Sequence, residues 1–158
     1  MVIFVGSIYL FSMLPLSFPQ PNFSLRKQEE QPQIFDPLRK LWVKLTPEEW
    51  VRQNMICMLQ DKLNIPAGFM GVEKEIKVGA MKKRFDLLIF DRNHQPWMLI
   101  ECKSEKVSLK ESTAEQLLRY YQVLRVRYLI ITNGEMALGW HNQLDNFLPM
   151  LQWPQWDQ

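Results

Sequence analysis

Apolar positions recur at helical spacing through TPEEWVRQNMICMLQDKL, residues 46–63, where Trp50, Val51, Met55, Ile56, Leu59 and Leu63 form the repeating set. Thr46 is a natural N-cap, Pro47 suits the first helical position, and Glu49 stands at capping-box spacing from the cap. Pro66 and Gly68 end the run, so the pattern predicts a helix over 47–63. The period then shortens. FMGVEKEIKV (69–78) alternates in part and reads as a strand, a second strand runs over 82–91, and PWMLIECK (96–103) makes a third. Leu117, Leu118, Tyr121 and Leu124 return to helical spacing and predict a helix over 112–124. RYLIITNG (127–134) is a continuous apolar run closed by Asn-Gly, the pattern of a strand buried on both faces, and a further strand is predicted over 135–141.

Helix, three strands, helix and one or two strands predict an α/β domain with a mixed central sheet of four to five strands flanked by helices. The domain is expected over 34–141, with IFDPLRKLWVKL (34–45) opening it as a short strand or turn pair. Residues 1–33 read as an amino-terminal extension and arm, and 142–158 as a tail rich in Trp, Pro and Gln. The first 25 residues carry no charge, and no Lys or Arg precedes their apolar core as a signal peptide would require. Gly6, Pro15 and Pro19 interrupt the stretch, which disfavours a spanning helix. The favoured reading places residues 1–12 upstream of a true start at Met13, with a membrane anchor as the minority alternative and no stable membrane association expected.

Composition narrows this only a little. The chain has 158 residues, room for one domain with a real core, and 47% hydrophobic with 23% charged residues is ordinary for a globular protein. A formal net charge of +2 does not demand a nucleic-acid partner. Local clusters still allow one, notably Lys82, Lys83 and Arg84, and Arg119, Arg125 and Arg127; phosphate binding and a solvated face are equally good readings of them. The two cysteines, Cys57 and Cys102, form no CxxC pair, which argues against a zinc site or disulfide scaffold and fits a reducing cytoplasm.

The chemistry sits in RFDLLIFDRNHQPWMLIECK, 84–103, which reads as a β-hairpin carrying Asp86, Glu101 and Lys103. A turn centred on Asn93-His94 sets Asp86 directly opposite Glu101, and Lys103 points to the same face as Glu101. Opposed carboxylates repel, so something must offset them. A hard divalent cation such as Mg²⁺ would, since it takes oxygen ligands together with water and phosphate; Lys103 alone would offset part. A metal beside a lysine also supplies the parts for phosphodiester hydrolysis. The bland alternative is a surface ion pair worth about 0–1 kcal/mol.

The pattern Asp86 … Glu101-Cys102-Lys103 resembles the D…(D/E)-x-K motif of the PD-(D/E)XK nuclease superfamily, with Phe85 where the motif's proline would stand. Together with Glu49-Trp50-Val51-Arg52, Gln116-Leu-Leu-Arg-Tyr120 and Thr132-Asn133-Gly134, it is similar to the amino-terminal nuclease domain of type I restriction enzyme R subunits over about 34–141. The resemblance implies a restriction-endonuclease-like fold and Mg²⁺-dependent cleavage of DNA, with Mn²⁺ as a substitute. It implies Asp86 and Glu101 as metal ligands, Lys103 as the catalytic lysine and Glu49 as a completing ligand. Gln116 and Tyr120 match the QxxxY element, which contacts DNA or supports the site. Glu49 also reads as a capping-box residue, and Gln116 and Tyr120 as ordinary helix surface. No GxxxxGK[ST] loop is present, so ATP-driven translocation is not expected of this chain. The rival reading is an inactive DNA-binding or assembly module of the same fold. Partners consistent with these readings are DNA, a second copy of the chain, and other restriction-system subunits.

Overall fold

The computed structural model describes residues 13–78, 80–110, 117, 125–144 and 146–156. Its centre is a mixed sheet of seven strands. Three of them form an antiparallel meander: β5 (Met70–Val78), β6 (Met81–Phe90) and β7 (Pro96–Cys102). β8 (Tyr128–Thr132) lies parallel to β7, and β9 (Ala137–Gln143) returns antiparallel to β8. The outer edge of β9 is shared end to end by two short strands. β1 (Met13–Leu14) pairs with Leu138 and Ala137, and β10 (Asn146–Pro149) pairs with residues from Trp140 to Gln143. A separate three-stranded sheet is made by β2 (Leu25–Gln28), β3 (Gln31–Asp36) and β4 (Leu41–Lys44).

The predicted mixed sheet is present but larger than the expected four to five strands. The additional strands come from segments whose sequence gives no strand signal. β1 is a two-residue bridge, and β10 lies in the Trp-rich tail. That tail packs back on the domain: Trp153 Nε1 donates to the Pro15 carbonyl at 2.7 Å and the buried Trp156 Nε1 to the Phe90 carbonyl at 3.0 Å. The segment 34–45 falls within β3 and β4, joined by a turn in which Asp36 Oδ1 accepts from Leu38 and Arg39 amides at 2.8 and 3.0 Å.

The helix α1 (Pro47–Leu63) has the predicted bounds, and a single 3-10 turn, Ala67–Phe69, follows it. Thr46 Oγ1 accepts from the Glu49 amide at 3.0 Å, and Asn64 closes the other end in a left-handed conformation. Trp50, expected in the apolar stripe, is exposed, whereas Glu49, Arg52, Gln53 and Asn54 are buried with Val51, Met55 and Ile56. The polar residues are buried because they bond to one another and to neighbouring elements. The predicted helix over 112–124, with Gln116 and Tyr120, lies outside the described residues except for Leu117, which is helical and buried.

The sheet separates two cores. α1 covers one face, packing Met55, Ile56 and Leu59 on Leu87, Ile89, Met98, Ile100 and Ile130. Leu109, Leu117 and Val126, from the crossover between β7 and β8, pack on Phe85, Leu88, Leu99 and Leu129 of the other. Burial on both faces explains the unbroken apolar run of β8.

Thr132-Asn133-Gly134 closes the β8–β9 turn. Asn133 Oδ1 accepts from the Glu135 and Met136 amides at 3.1 and 3.0 Å, and its amide nitrogen holds the Val107 carbonyl at 3.0 Å, tying down the loop that follows Lys103. Gly134 has φ +88°, and a Cβ there would meet Val51 Cγ2 at 2.9 Å. Gly134→Ala is therefore expected to lower unfolding free energy by more than about 1 kcal/mol. Leu151→Ala, at an exposed position, should stay within about 0.5 kcal/mol of wild type. Denaturant titration of both variants checks the pair.

Candidate active site at the strand fork

The β6–β7 hairpin reaches the predicted register by an unpredicted route. The turn is a three-residue loop, Arg92-Asn93-His94, with Asp91 N–H donating to the Gln95 carbonyl at 2.9 Å and His94 left-handed at φ 58°. That loop alone would shift the pairing by one residue, and Phe90 does face Pro96. Trp97 is then an extra residue on β7, because Ile89 already faces Met98, and the bulge restores the register for Leu88↔Leu99 and Leu87↔Ile100.

Pairing between β6 and β7 stops at Leu87↔Ile100, one residue short of Asp86 and Glu101. β6 continues against β5 as far as Met81, and β7 continues against β8 through Cys102. The two strands thus part at the site. On its other side β6 is also irregular: the β5 register omits Glu73 and Asp86, and Glu73 has φ 48°. Asp86 sits in the fork and bonds through its side chain. Its Oδ2 accepts from the Cys102 amide at 2.7 Å and its Oδ1 from Arg52 Nη2 of α1 at 2.7 Å.

Glu101 shares the alternation of Leu99, which packs in the second core, and bonds Lys103 Nζ through Oε1 at 2.9 Å. Asp86 instead reaches α1, on the first-core side. The expected face-to-face ladder pair is therefore not formed, and the Asp86 charge acts on Glu101 across the fork. Burial is the main cause that pushes the Glu101 carboxyl above its ordinary range, and the Asp86 charge is the next; Lys103 opposes both without cancelling them. Burial works against the Lys103 ammonium, but the Glu101 hydrogen bond and the charges of Glu101 and Asp86 raise it overall. Cys102 is fully buried in the first core, and its thiol is pushed well up by burial and by Asp86, which makes it a packing residue.

Behind Asp86 lies a buried ionic network that includes Glu49, which the sequence had offered as a completing metal ligand. Arg52 Nη1 pairs with Glu49 Oε2. Glu49 Oε1 accepts from Arg39 Nη2 at 3.1 Å and from Gln53 Nε2 at 2.9 Å. Arg39, in the β3–β4 turn, also binds Asp36 Oδ2 at 2.5 Å and Glu73 Oε2 at 2.7 Å. Two arginines thus hydrogen-bond the four carboxylates of Asp36, Glu49, Glu73 and Asp86, and Glu48 lies at ion-pair distance from Arg52. Asp36-Pro37 marks a turn in the sequence, but nothing local signals that Arg39 reaches α1 and β5.

The structure brings Asp86, Glu101 and Lys103 to one end of the hairpin. Glu49 stands one link further back, its oxygens engaged by Arg39, Arg52 and Gln53. Among the described residues no group of three or more His, Cys, Asp or Glu side chains is placed to hold a metal ion. Two carboxylates do suit Mg²⁺, which commonly binds one or two together with water and phosphate. Burial and the Asp86 charge raise the Glu101 carboxyl, and a cation held between the two carboxylates would favour its ionised form. Beside the fork, a cleft of about 470 Å³ is lined by Phe18, Trp50, Val51, Glu105 and Gly134, among others, and does not include the three hairpin charges.

Fold and site together define an α/β domain whose central sheet forks at two carboxylates and a lysine. The family model described as type I restriction enzyme R protein N terminus (HSDR_N) matches residues 47–150, and the chain belongs to that family. No curated protein matches the chain. No described helix is long and apolar enough to cross a membrane.

The Glu101 shift has a direct consequence for stability. Folded Glu101 keeps its proton to higher pH than in the unfolded chain, so the ion-free fold loses stability as pH rises from the ordinary carboxyl value through the raised one. Glu101→Gln should therefore melt higher than wild type at neutral pH. The gap should close below about pH 4, where the ordinary glutamate is protonated too. A variant that melts lower than wild type at neutral pH would contradict this.

Proposed function

We propose that the chain is a metal-dependent nuclease module of the PD-(D/E)XK type acting on DNA in a restriction system. The observation that carries this is the fork that gathers Asp86, Glu101 and Lys103 in a chain of the R-protein amino-terminal family. Asp86 and Glu101 would hold Mg²⁺ or Mn²⁺. When bound, the ion supplies polarisation of the phosphate and activation of the attacking water.

The remaining chemistry belongs to the chain. Lys103 has a raised pKa and stays an ammonium at neutral pH, which assigns it to stabilising negative charge on the phosphate rather than to taking a proton. Glu101 orients it through the 2.9 Å bond to Nζ. Cys102, between them in sequence, contributes its amide to Asp86 and its side chain to the core. Exposed Lys74, Lys77, Lys82 and Arg84 on the β5–β6 hairpin beside the fork would meet the DNA backbone. Glu49 acts from behind the site through Arg52, and Gln116 and Tyr120 keep the DNA-contacting or supporting role that their motif implies. Other restriction-system subunits and a second copy of the chain are further partners for this role. A cytoplasmic setting suits the two free cysteines.

A second reading, an inactive DNA-binding or assembly module, is favoured by the ion pairs Asp86–Arg52 and Glu101–Lys103, which satisfy the charged groups without a metal. Cleavage of plasmid and linear DNA with Mg²⁺ or Mn²⁺ separates the two. The nuclease reading expects cutting by wild type and its loss, by about a hundredfold or more, in Asp86→Ala and Lys103→Ala that remain folded. DNA binding by a wild type that never cuts would establish the module instead.

A further inference from the structure

Asp86 has no ladder partner on β7, so its side chain must be aimed by something other than the sheet. Among the described residues the Cys102 amide fixes Oδ2 and Arg52 Nη2 fixes Oδ1, both at 2.7 Å. Arg52 is itself almost wholly buried. Its Nη1 is held by Glu49, with Glu73 Oε1 at 3.6 Å, while Glu48 Oε1 lies 3.7 Å from Nη2. Its Nε is buried without a hydrogen-bond partner among the described residues. A planar guanidinium reaches Glu49 and Asp86 through different nitrogens at once, which a lysine ammonium of different reach and shape does not reproduce. Each Asp86 oxygen keeps acceptor capacity beyond these bonds.

We propose that Arg52 is a positioning residue of this site: it locks the Asp86 carboxylate onto the Cys102 amide and so sets how well the fork binds a divalent cation. This rests on the nuclease reading for its cation, but the lock itself is independent of it. Arg52 touches no reacting atom in this scheme and acts only through Asp86. Arg52 does not exclude a cation from Asp86, because it occupies one direction on one oxygen and leaves both oxygens further acceptor capacity.

The test uses the full chain as wild type, Arg52→Lys, Arg52→Met and Asp86→Ala, read by amide NMR and by Mg²⁺ titration calorimetry. Arg52→Met leaves buried carboxylates unpaired and risks the fold, so Arg52→Lys, which keeps the charge, is the deciding variant. The Cys102 amide proton, drawn downfield by the carboxylate in wild type, should move in Arg52→Lys toward its position in Asp86→Ala. The Ile130 amide in the neighbouring strand should stay in place. Mg²⁺ affinity should fall by about tenfold or more, the usual effect of losing an outer partner of a metal ligand. A purely structural role would lower the melting temperature without moving the Cys102 resonance. The proposal is overturned if Arg52→Lys leaves that resonance unchanged, or if Mg²⁺ affinity stays within about twofold of a binding wild type. Failure of the nuclease reading looks different: wild type binds no Mg²⁺, yet the Cys102 amide still moves in Arg52→Lys, and the lock survives without its metal role.

Discussion

The carboxylate of Asp86, shared between a guanidinium on the helix and an amide on a strand, is the contact on which the candidate site depends. It joins α1 to β7 at the point where β6 and β7 stop pairing. Without it the fork would expose an unsatisfied amide on one side and a buried arginine charge on the other. Removing one partner of a buried ion pair costs about 3–5 kcal/mol, because the remaining charge has no water to turn to. The contact thus binds the site's geometry to the stability of the fold.

The network behind it explains an odd feature of the helix. α1 buries Glu49, Arg52 and Gln53 as deeply as its apolar residues, which is tolerable only because each finds charged or polar partners. Those partners come from far along the chain, from the β3–β4 turn through Arg39 and Asp36 and from β5 through Glu73. Carboxylates outnumber the arginines in this cluster, so each arginine is shared among several of them. Lys103 answers part of that charge at Glu101 but leaves its carboxyl shifted upward.

Much of this was readable from residue order where the signals are local. The helix bounds follow from Thr46, Pro47 and the stop at Pro66, and the meander follows from alternation broken by turns. The hairpin register was right for a reason the pattern did not contain: a longer loop and a bulge at Trp97 offset one another. What stayed hidden is non-local. Two-residue β1 has no periodicity to detect, and β10 depends on the free edge of β9. Trp50 looked like a core residue because its spacing matched, while nothing nearby in sequence names the partners of Arg52. Glu49 fits the capping spacing, and its backbone amide does meet Thr46, but its side chain is drawn into the arginine network.

The most direct measurement is a crystal structure of the chain soaked in Mn²⁺, read by the anomalous signal of the ion. The account expects a peak in the fork, within coordination distance of Asp86 and Glu101, with Arg52 still on Asp86. Mn²⁺ found only elsewhere, with Asp86 on Arg52 and Glu101 on Lys103 undisturbed, would contradict it and leave the fork as a closed ionic lock.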